Sequence, residues 1–151
     1  MRILMINKFF YKKGGSEAYM FNLIEMLRKN GHQVIEFSMQ DEKNEKSDYA
    51  KYFIKNIDFQ KNEGFFENIK KVFHALYSVE AKNKLEDLIN TEKPDVAHIH
   101  NFNFQLTPSI LFVLKRYKIP IVWTMHDYKL VCPNFRLFTE GAICERCKYH
   151  K

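Results

Sequence analysis

Four groups of residues have the types and spacing to do chemistry. The first is Gly14-Gly15-Ser16-Glu17, preceded by Lys8, Lys12 and Lys13 with no acid between them. Paired glycines let a backbone approach a ligand closely, and a helix opening there offers free N–H groups and its positive dipole end. That suits a phosphate or diphosphate; a plain turn before a helix is the other reading. Neither the G-x-G-x-x-G nor the G-x-x-x-x-G-K-[ST] phosphate signature occurs. A receiver domain is excluded as well, because the first apolar run ends in Asn7-Lys8 rather than in acids. The second group is His98-Ile99-His100-Asn101. On a strand the two histidines face the same way, and His100-Asn101 can line a ligand site at the strand's end. Two histidines alone do not make a metal site. The third is His126-Asp127-Tyr128, straight after Ile121-Val122-Trp123-Thr124-Met125. This is an ionisable pair where an apolar strand exits, able to hydrogen-bond a hydroxyl or carry a proton near neutral pH. A loop histidine held by Asp127 is the plainer reading. The fourth is Cys132-Pro133 followed by Cys144-x-x-Cys147 and His150. A C-x-x-C pair is half of a zinc knuckle, so Cys132, Cys144 and Cys147 are candidate ligands, with His150 or a residue from elsewhere as the fourth. A redox pair or ordinary thiols are the alternatives. The pair does not follow a first strand as in thioredoxins.

These groups need a scaffold to bring them together. Ile3-Leu4-Met5-Ile6 is an apolar run without alternation, as in strands buried on both faces of a parallel sheet. Ser16 is the expected N-cap of the next helix, with Glu17 in its first turn. Met20, Leu23, Ile24 and Leu27 repeat at helical spacing, and Gly31 ends that helix. Val34–Ser38 reads as a second strand. Acidic and basic side chains crowd Asp41–Asp58, which is expected to be a solvated, mobile connection. Phe65, Phe66, Ile69, Val72, Phe73, Leu76 and Tyr77 predict a helix, and Leu85, Leu88 and Ile89 a further one broken at Lys93-Pro94. Asp95–His100 is the next strand. Thr107-Pro108 supplies a cap and a first-turn proline for a helix to about Tyr117, and Ile119–Thr124 is another strand. Alternating strands and helices predict an α/β fold: a Rossmann-like three-layer sandwich with a mainly parallel sheet and right-handed crossovers. Ligands in such sheets sit beyond the carboxyl ends of strands, which singles out Lys8–Glu17, His100–Thr107 and His126–Cys132.

The chain has 151 residues, 46% of them hydrophobic and 28% charged, which is enough for one domain with a sizeable core and excludes a long disordered tail. No apolar run reaches the roughly 18–20 residues of a membrane helix. The first residues turn polar too soon for a secretory signal. A cytoplasmic location is expected. Lysine and arginine number 24 against 18 acids, and the net charge of +6 favours an anionic partner. No nucleic-acid-binding motif accompanies the charge, so no nucleic acid is expected. Three cysteines, an odd number confined to the end of the chain, argue against a disulfide framework.

Taken in order, Gly14-Gly15-Ser16-Glu17, Lys93-Pro94-Asp95-Val96-Ala97-His98-Ile99-His100-Asn101, Ile119-Pro120-Ile121-Val122 and Thr124-Met125-His126-Asp127-Tyr128 resemble the N-terminal domain of family 4 retaining glycosyltransferases. The stretch Cys132-Pro133-Asn134 … Gly141 … Cys144-Glu145-x-Cys147 resembles one subgroup of that family. The resemblance implies a GT-B architecture of two Rossmann-like domains. Residues 1–151 would be its incomplete, acceptor-side first half, with a cysteine-rich loop at 132–150. The chain would stop before the C-terminal nucleotide-sugar domain and its E-x7-E pair, and would be inactive alone. Gly14 and Gly15 would face the donor diphosphate. His126 would be the catalytic residue beside the donor sugar, and His100 and Asn101 would line the acceptor side. Glu17 would brace the glycine loop, and Asp127 would orient His126 or hold its loop. The family's chemistry would be hexosyl transfer with retained configuration, by same-face attack assisted by the leaving phosphate. It needs no cofactor for catalysis; zinc at the cysteines would be structural. The partners implied are a nucleotide-sugar donor and a glycan or lipid-linked acceptor of bacterial polysaccharide or glycolipid assembly, with peripheral contact at the inner face of the cell membrane. A reading of another class stands beside this one: a non-catalytic, zinc-stapled α/β module that binds an anionic partner.

Overall fold

The computed structural model describes residues 1–57, 64 and 77–147. Four parallel strands form its sheet: β1 (Arg2–Ile6), β2 (Gln33–Phe37), β3 (Val96–Ile99) and β4 (Ile121–Trp123). Their order is β2-β1-β3-β4, with Leu4 level with Ile35 on one side and Ala97 on the other. The chain moves from β1 outward to β2, then crosses back to β3 and β4. The order therefore reverses between β1 and β3, and a reversal with right-handed crossovers places helices on opposite faces. Helix α1 (Gly15–Lys29) covers one face; α2 (Val79–Glu92) and α3 (Ser109–Arg116) cover the other. This is the Rossmann-like α/β sandwich that the alternating pattern predicts.

The two-residue strand period divides the core. Leu4, Ile6, Ile35, Phe37, Ala97 and Ile99 point toward Leu85, Leu88, Ile110 and Leu114 of α2 and α3. Met5 and Val34 point the other way, toward Met20 and Ile24 of α1. Each Leu, Ile, Val, Met or Phe side chain among them, fully buried, contributes about 1.5–3 kcal/mol. An ion pair between exposed Arg28 of α1 and buried Glu36 of β2 joins helix to sheet, and Glu36 also accepts from Ser47 Oγ at 2.8 Å. By the same period His98 and His100 lie on the α1 face, beside Met5.

Several boundaries differ from the sequence expectation. Helix α1 starts at Gly15 with Gly14 as its N-cap and no side-chain cap, so Ser16 is inside the helix. Ser78 caps α2 by accepting from Ala81 N at 3.1 Å, and Lys93 ends that helix with φ 48°, just before Pro94. Pro108, not Thr107, is the N-cap of α3. Thr107 has φ 57° and turns its Oγ1 to the Ser78 amide at 3.0 Å. The helix expected from Phe65 lies outside the described residues except for Tyr77. The connection expected to be solvated and mobile is tied to the sheet through its described part. Met39 bridges Ile54 in parallel, and Phe53 and Ile54 are 1% and 0% exposed. Two apolar residues among many charges suffice to fill the sheet edge. Within the cysteine-rich segment, β5 (Phe138–Thr139) and β6 (Ala142–Ile143) form an antiparallel hairpin. Its two-residue turn, Glu140-Gly141, has φ of 51° and 77°, as a type I′ turn requires.

Candidate functional site

The ends of β1, β3 and β4 converge at the reversal point. Asn7, 2% exposed, locks two of these exits together. Its Oδ1 accepts from Asn101 N at 2.9 Å, and its Nδ2 donates to Phe9 O at 2.8 Å and to Glu17 Oε1 at 3.3 Å. Lys8 N donates to Asn101 O at 2.7 Å. Asn7 thus ties the β1 loop, the β3 loop and the first turn of α1 in one buried amide. The only sequence signal for it was a polar residue ending an apolar strand. Glu17 is 4% exposed, and its Oε2 would lie 3.5 Å from a Cβ built on Gly14. The carboxylate is folded under the glycine pair.

Gly14 has extended backbone angles, and a Cβ on Gly15 would meet nothing within 4 Å. Neither glycine has a positive φ. The fold therefore demands no glycine at Gly15; what glycine provides there is open space over an uncapped helix N-terminus. Lys8 lies within electrostatic reach of Lys13, Lys129 and of Glu17 in the first turn of α1. Burial, then repulsion from Lys129 and Lys13, pushes the Lys8 ammonium below its ordinary pKa, and Glu17 and Asp127 only partly offset this. A concentration of positive charge that depresses its own member is a place where an anion is favoured.

Three histidines stack across the ends of β3 and β4. The His98 and His100 rings are 4.6 Å apart, and the His100 and His126 rings 5.2 Å apart. His98 Nε2 meets Thr124 Oγ1 at 2.7 Å, and His100 Nδ1 meets His126 Nε2 at 2.9 Å. Tyr19, one turn into α1, lies edge-on with its centroid 5.9 Å from His100 and 5.7 Å from His126. His100 is 1% exposed. Its backbone is pinned by N donating to Ile6 O at 2.9 Å and its carbonyl accepting from Trp123 Nε1 at 3.1 Å. Burial first, then the neighbouring histidines, lowers its pKa to about 3; burial and His126 lower that of His98.

The structure brings His100, Asn101, His126 and Asp127 into the lining of one small cavity. Gly14 and Gly15 are joined to it through Glu17, Asn7 and Tyr19 rather than by direct contact. His100, expected to face the acceptor, has both ring nitrogens engaged inside the protein. The Asp127 carboxylate bonds to Lys129 rather than to the His126 ring: its Oδ1 accepts from Lys129 N at 3.1 Å and its Oδ2 from Lys129 Nζ at 2.8 Å. Burial raises its pKa, but the bonds and charge of Lys129 outweigh that and hold the carboxyl below the usual range.

The cysteines form a separate feature. Cys132 is buried, Cys144 half-buried and Cys147 exposed, and all three line a cavity of about 350 Å³ beside the hairpin. Among the described residues no three His, Cys, Asp or Glu side chains are gathered closely enough to hold a metal ion. His150 lies outside the described residues.

A parallel α/β domain with its polar residues gathered at the strand-order reversal belongs to the Rossmann-like class, in which ligand sites lie beyond the carboxyl ends of the strands. More particularly, the chain belongs to Glycosyltransferase Family 4, whose model matches residues 13–142. It is also similar to an uncharacterized 42.6 kDa protein in the cps region of Klebsiella pneumoniae, with 28% identity over 159 residues. That alignment covers 94% of this chain and 41% of the relative, so the chain spans about two fifths of that protein's length. The family match takes in the glycine pair, Glu17, Tyr19 and the β3 and β4 strand-end residues, while Asn7, Lys8, Cys144 and Cys147 lie outside it.

Proposed function

We propose that this chain is the acceptor-side half of a glycosyltransferase that moves a hexose from a nucleotide sugar to a glycan or lipid-linked acceptor with retention of configuration, in bacterial polysaccharide or glycolipid assembly. The observation that carries the reading is the family match over residues 13–142, which spans the glycine pair and the ends of β3 and β4. The relative in a cps region fits polysaccharide assembly. In this reading the uncapped amides at Gly14-Gly15, with Lys8, Lys13 and Lys129, stabilise the negative charge that grows on the departing diphosphate. His126 hydrogen-bonds the donor sugar, and Asn101 lies on the acceptor side. The carboxylates of the site are Glu17, folded against Asn7, and Asp127, bound to Lys129. Neither is placed as a nucleophile, which favours same-face attack assisted by the leaving phosphate. Catalysis requires no cofactor; zinc, where the cysteines bind it, is a staple of the 132–147 segment. No helix among the described residues is long and apolar enough to cross a membrane. Contact with the inner face of the cell membrane would be peripheral, through the lysine-bearing loops.

The test is release of nucleoside diphosphate from a panel of nucleotide sugars. It is run on the 151-residue chain and on the same chain joined to a C-terminal domain of the family. The chain alone is expected to give no transfer and only feeble nucleotide-sugar affinity; the joined protein is expected to turn over. Transfer by the chain alone, or no release from any donor by the joined protein, counts against the reading.

A further inference from the structure

The contact between His100 and His126 has a direction. A hydrogen bond between two imidazoles holds one proton, and which ring supplies it depends on what the other nitrogen of His100 does. That nitrogen, Nε2, faces Met5 Sδ at 3.0 Å in buried surroundings. A thioether offers lone pairs and no proton. Nε2 therefore carries the hydrogen and donates to sulfur, because a lone pair there would oppose the sulfur's own. His100 is neutral at physiological pH, being buried and flanked by two other histidines. With its single ring proton on Nε2, its Nδ1 is bare and accepts from His126 Nε2–H.

We propose that His100 is a positioning residue: held by Met5 on one side, it fixes His126 as the Nε2–H tautomer and leaves the His126 Nδ1 lone pair to accept a hydrogen bond from a hydroxyl of the sugar being transferred. The tautomer follows from contacts on this chain alone; the sugar hydroxyl rests on the transfer reading above. His126 Nδ1 has no protein partner among the described residues, and Asp127, the nearest carboxylate in sequence, is bound to Lys129. The ring plane is set as well, by the stack on His100 and the edge of Tyr19. A sugar lacking a hydroxyl at that position leaves Nδ1 without its donor, so the arrangement selects for a hydroxyl as well as for a shape.

Ring-nitrogen NMR of the 151-residue chain, with 15N-labelled histidine at neutral pH, tests this without any substrate. Its outcome is therefore independent of the transfer assay. The expected spectrum has His126 Nδ1 in the bare, pyridine-type range and Nε2 in the protonated, pyrrole-type range, with the same pattern for His100. His100→Asn keeps the His126 pattern, because the amide oxygen takes the place of the Nδ1 lone pair. His100→Leu moves both His126 nitrogens toward the average of the two tautomers. Met5→Leu, which leaves His100 in place, gives a smaller shift in the same direction and keeps the test alive if His100→Leu fails to fold. A proton on His126 Nδ1 in the wild type overturns the proposal. So do unshifted His126 resonances in folded His100→Leu, or in Met5→Leu when only that variant folds.

Discussion

At the scale of single residues, His126 and Gly15 can be separated from their surroundings because neither is required by packing. His126 is half-exposed, touching His100 and Tyr19 without entering the core. In the joined protein, His126→Ala should remove a contact made to the donor sugar, costing on the order of 2–4 kcal/mol of transition-state stabilisation if it acts like other preorganised groups. Turnover falls while the melting temperature stays close to wild type. Early melting with a wild-type rate would make His126 a loop residue and nothing more. His32 is the control: it stands just before β2, at the opposite end of the sheet, where His32→Ala should leave the rate unchanged. Gly15→Val tests the anion site. Its Cβ has open space and its φ is not positive, so stability should change by less than about 0.5 kcal/mol. The branched side chain would stand over the amides and lower turnover. A Gly15→Val protein as active as wild type would remove the diphosphate from this helix end. The sequence exposed His126 and the glycine pair because strand ends and Gly-Gly are visible in one dimension. It did not expose Asn7, whose importance lies in bonds to residues 94 and 10 positions away.

At the scale of elements, the cysteine-rich segment makes the sharpest test. The sequence spacing suggested a zinc knuckle; the fold places the thiols around one cavity at graded depth. Thiol titration of the native chain should therefore run in order, Cys147 first, Cys144 next and buried Cys132 last. About one zinc per chain by elemental analysis, with all three thiols protected together, would show instead that the metal draws them in. The β5–β6 hairpin between them was unreadable because its strands have only two residues each and its turn is Glu-Gly rather than Asn-Gly. The four sheet strands and the helices over Gly15–Lys29, Val79–Glu92 and Ser109–Arg116 were legible, the strands as short apolar runs and the helices by apolar residues at helical spacing. Their ends were not. The N-cap of α1 is a glycine with no side chain to announce it, and Thr107 sits in a left-handed conformation rather than capping α3. Phe53 and Ile54 were masked by the charges around them, although both are core residues.

At the scale of the whole molecule, the site is coupled to stability through the buried histidine. His100 has a pKa of about 3 in the folded chain against an ordinary 6.5. Above pH 6.5 both folded and unfolded states hold it neutral, and it adds no pH dependence. Below that, the unfolded state binds a proton that the folded state refuses, so stability falls as pH drops from 6.5 toward 3. The slope approaches about 1.4 kcal/mol per pH unit for this one group. His98, also lowered by burial, acts in the same direction. Glu36, raised by burial against the pull of Ser47 and Arg28, acts oppositely but only within the carboxylate range. Glu36 has no contact with His100 and is common to both proteins, so the difference between wild type and His100→Asn reports His100 together with the His98 ring stacked on it. Denaturant unfolding from pH 7.5 to 5 should give a shallower pH slope for His100→Asn, with the curves diverging only below 6.5. Parallel curves would mean that His100 accepts its proton in the folded state. Imidazolium on that ring would put a hydrogen on both nitrogens, and the His100 Nδ1 lone pair that orients His126 would be gone.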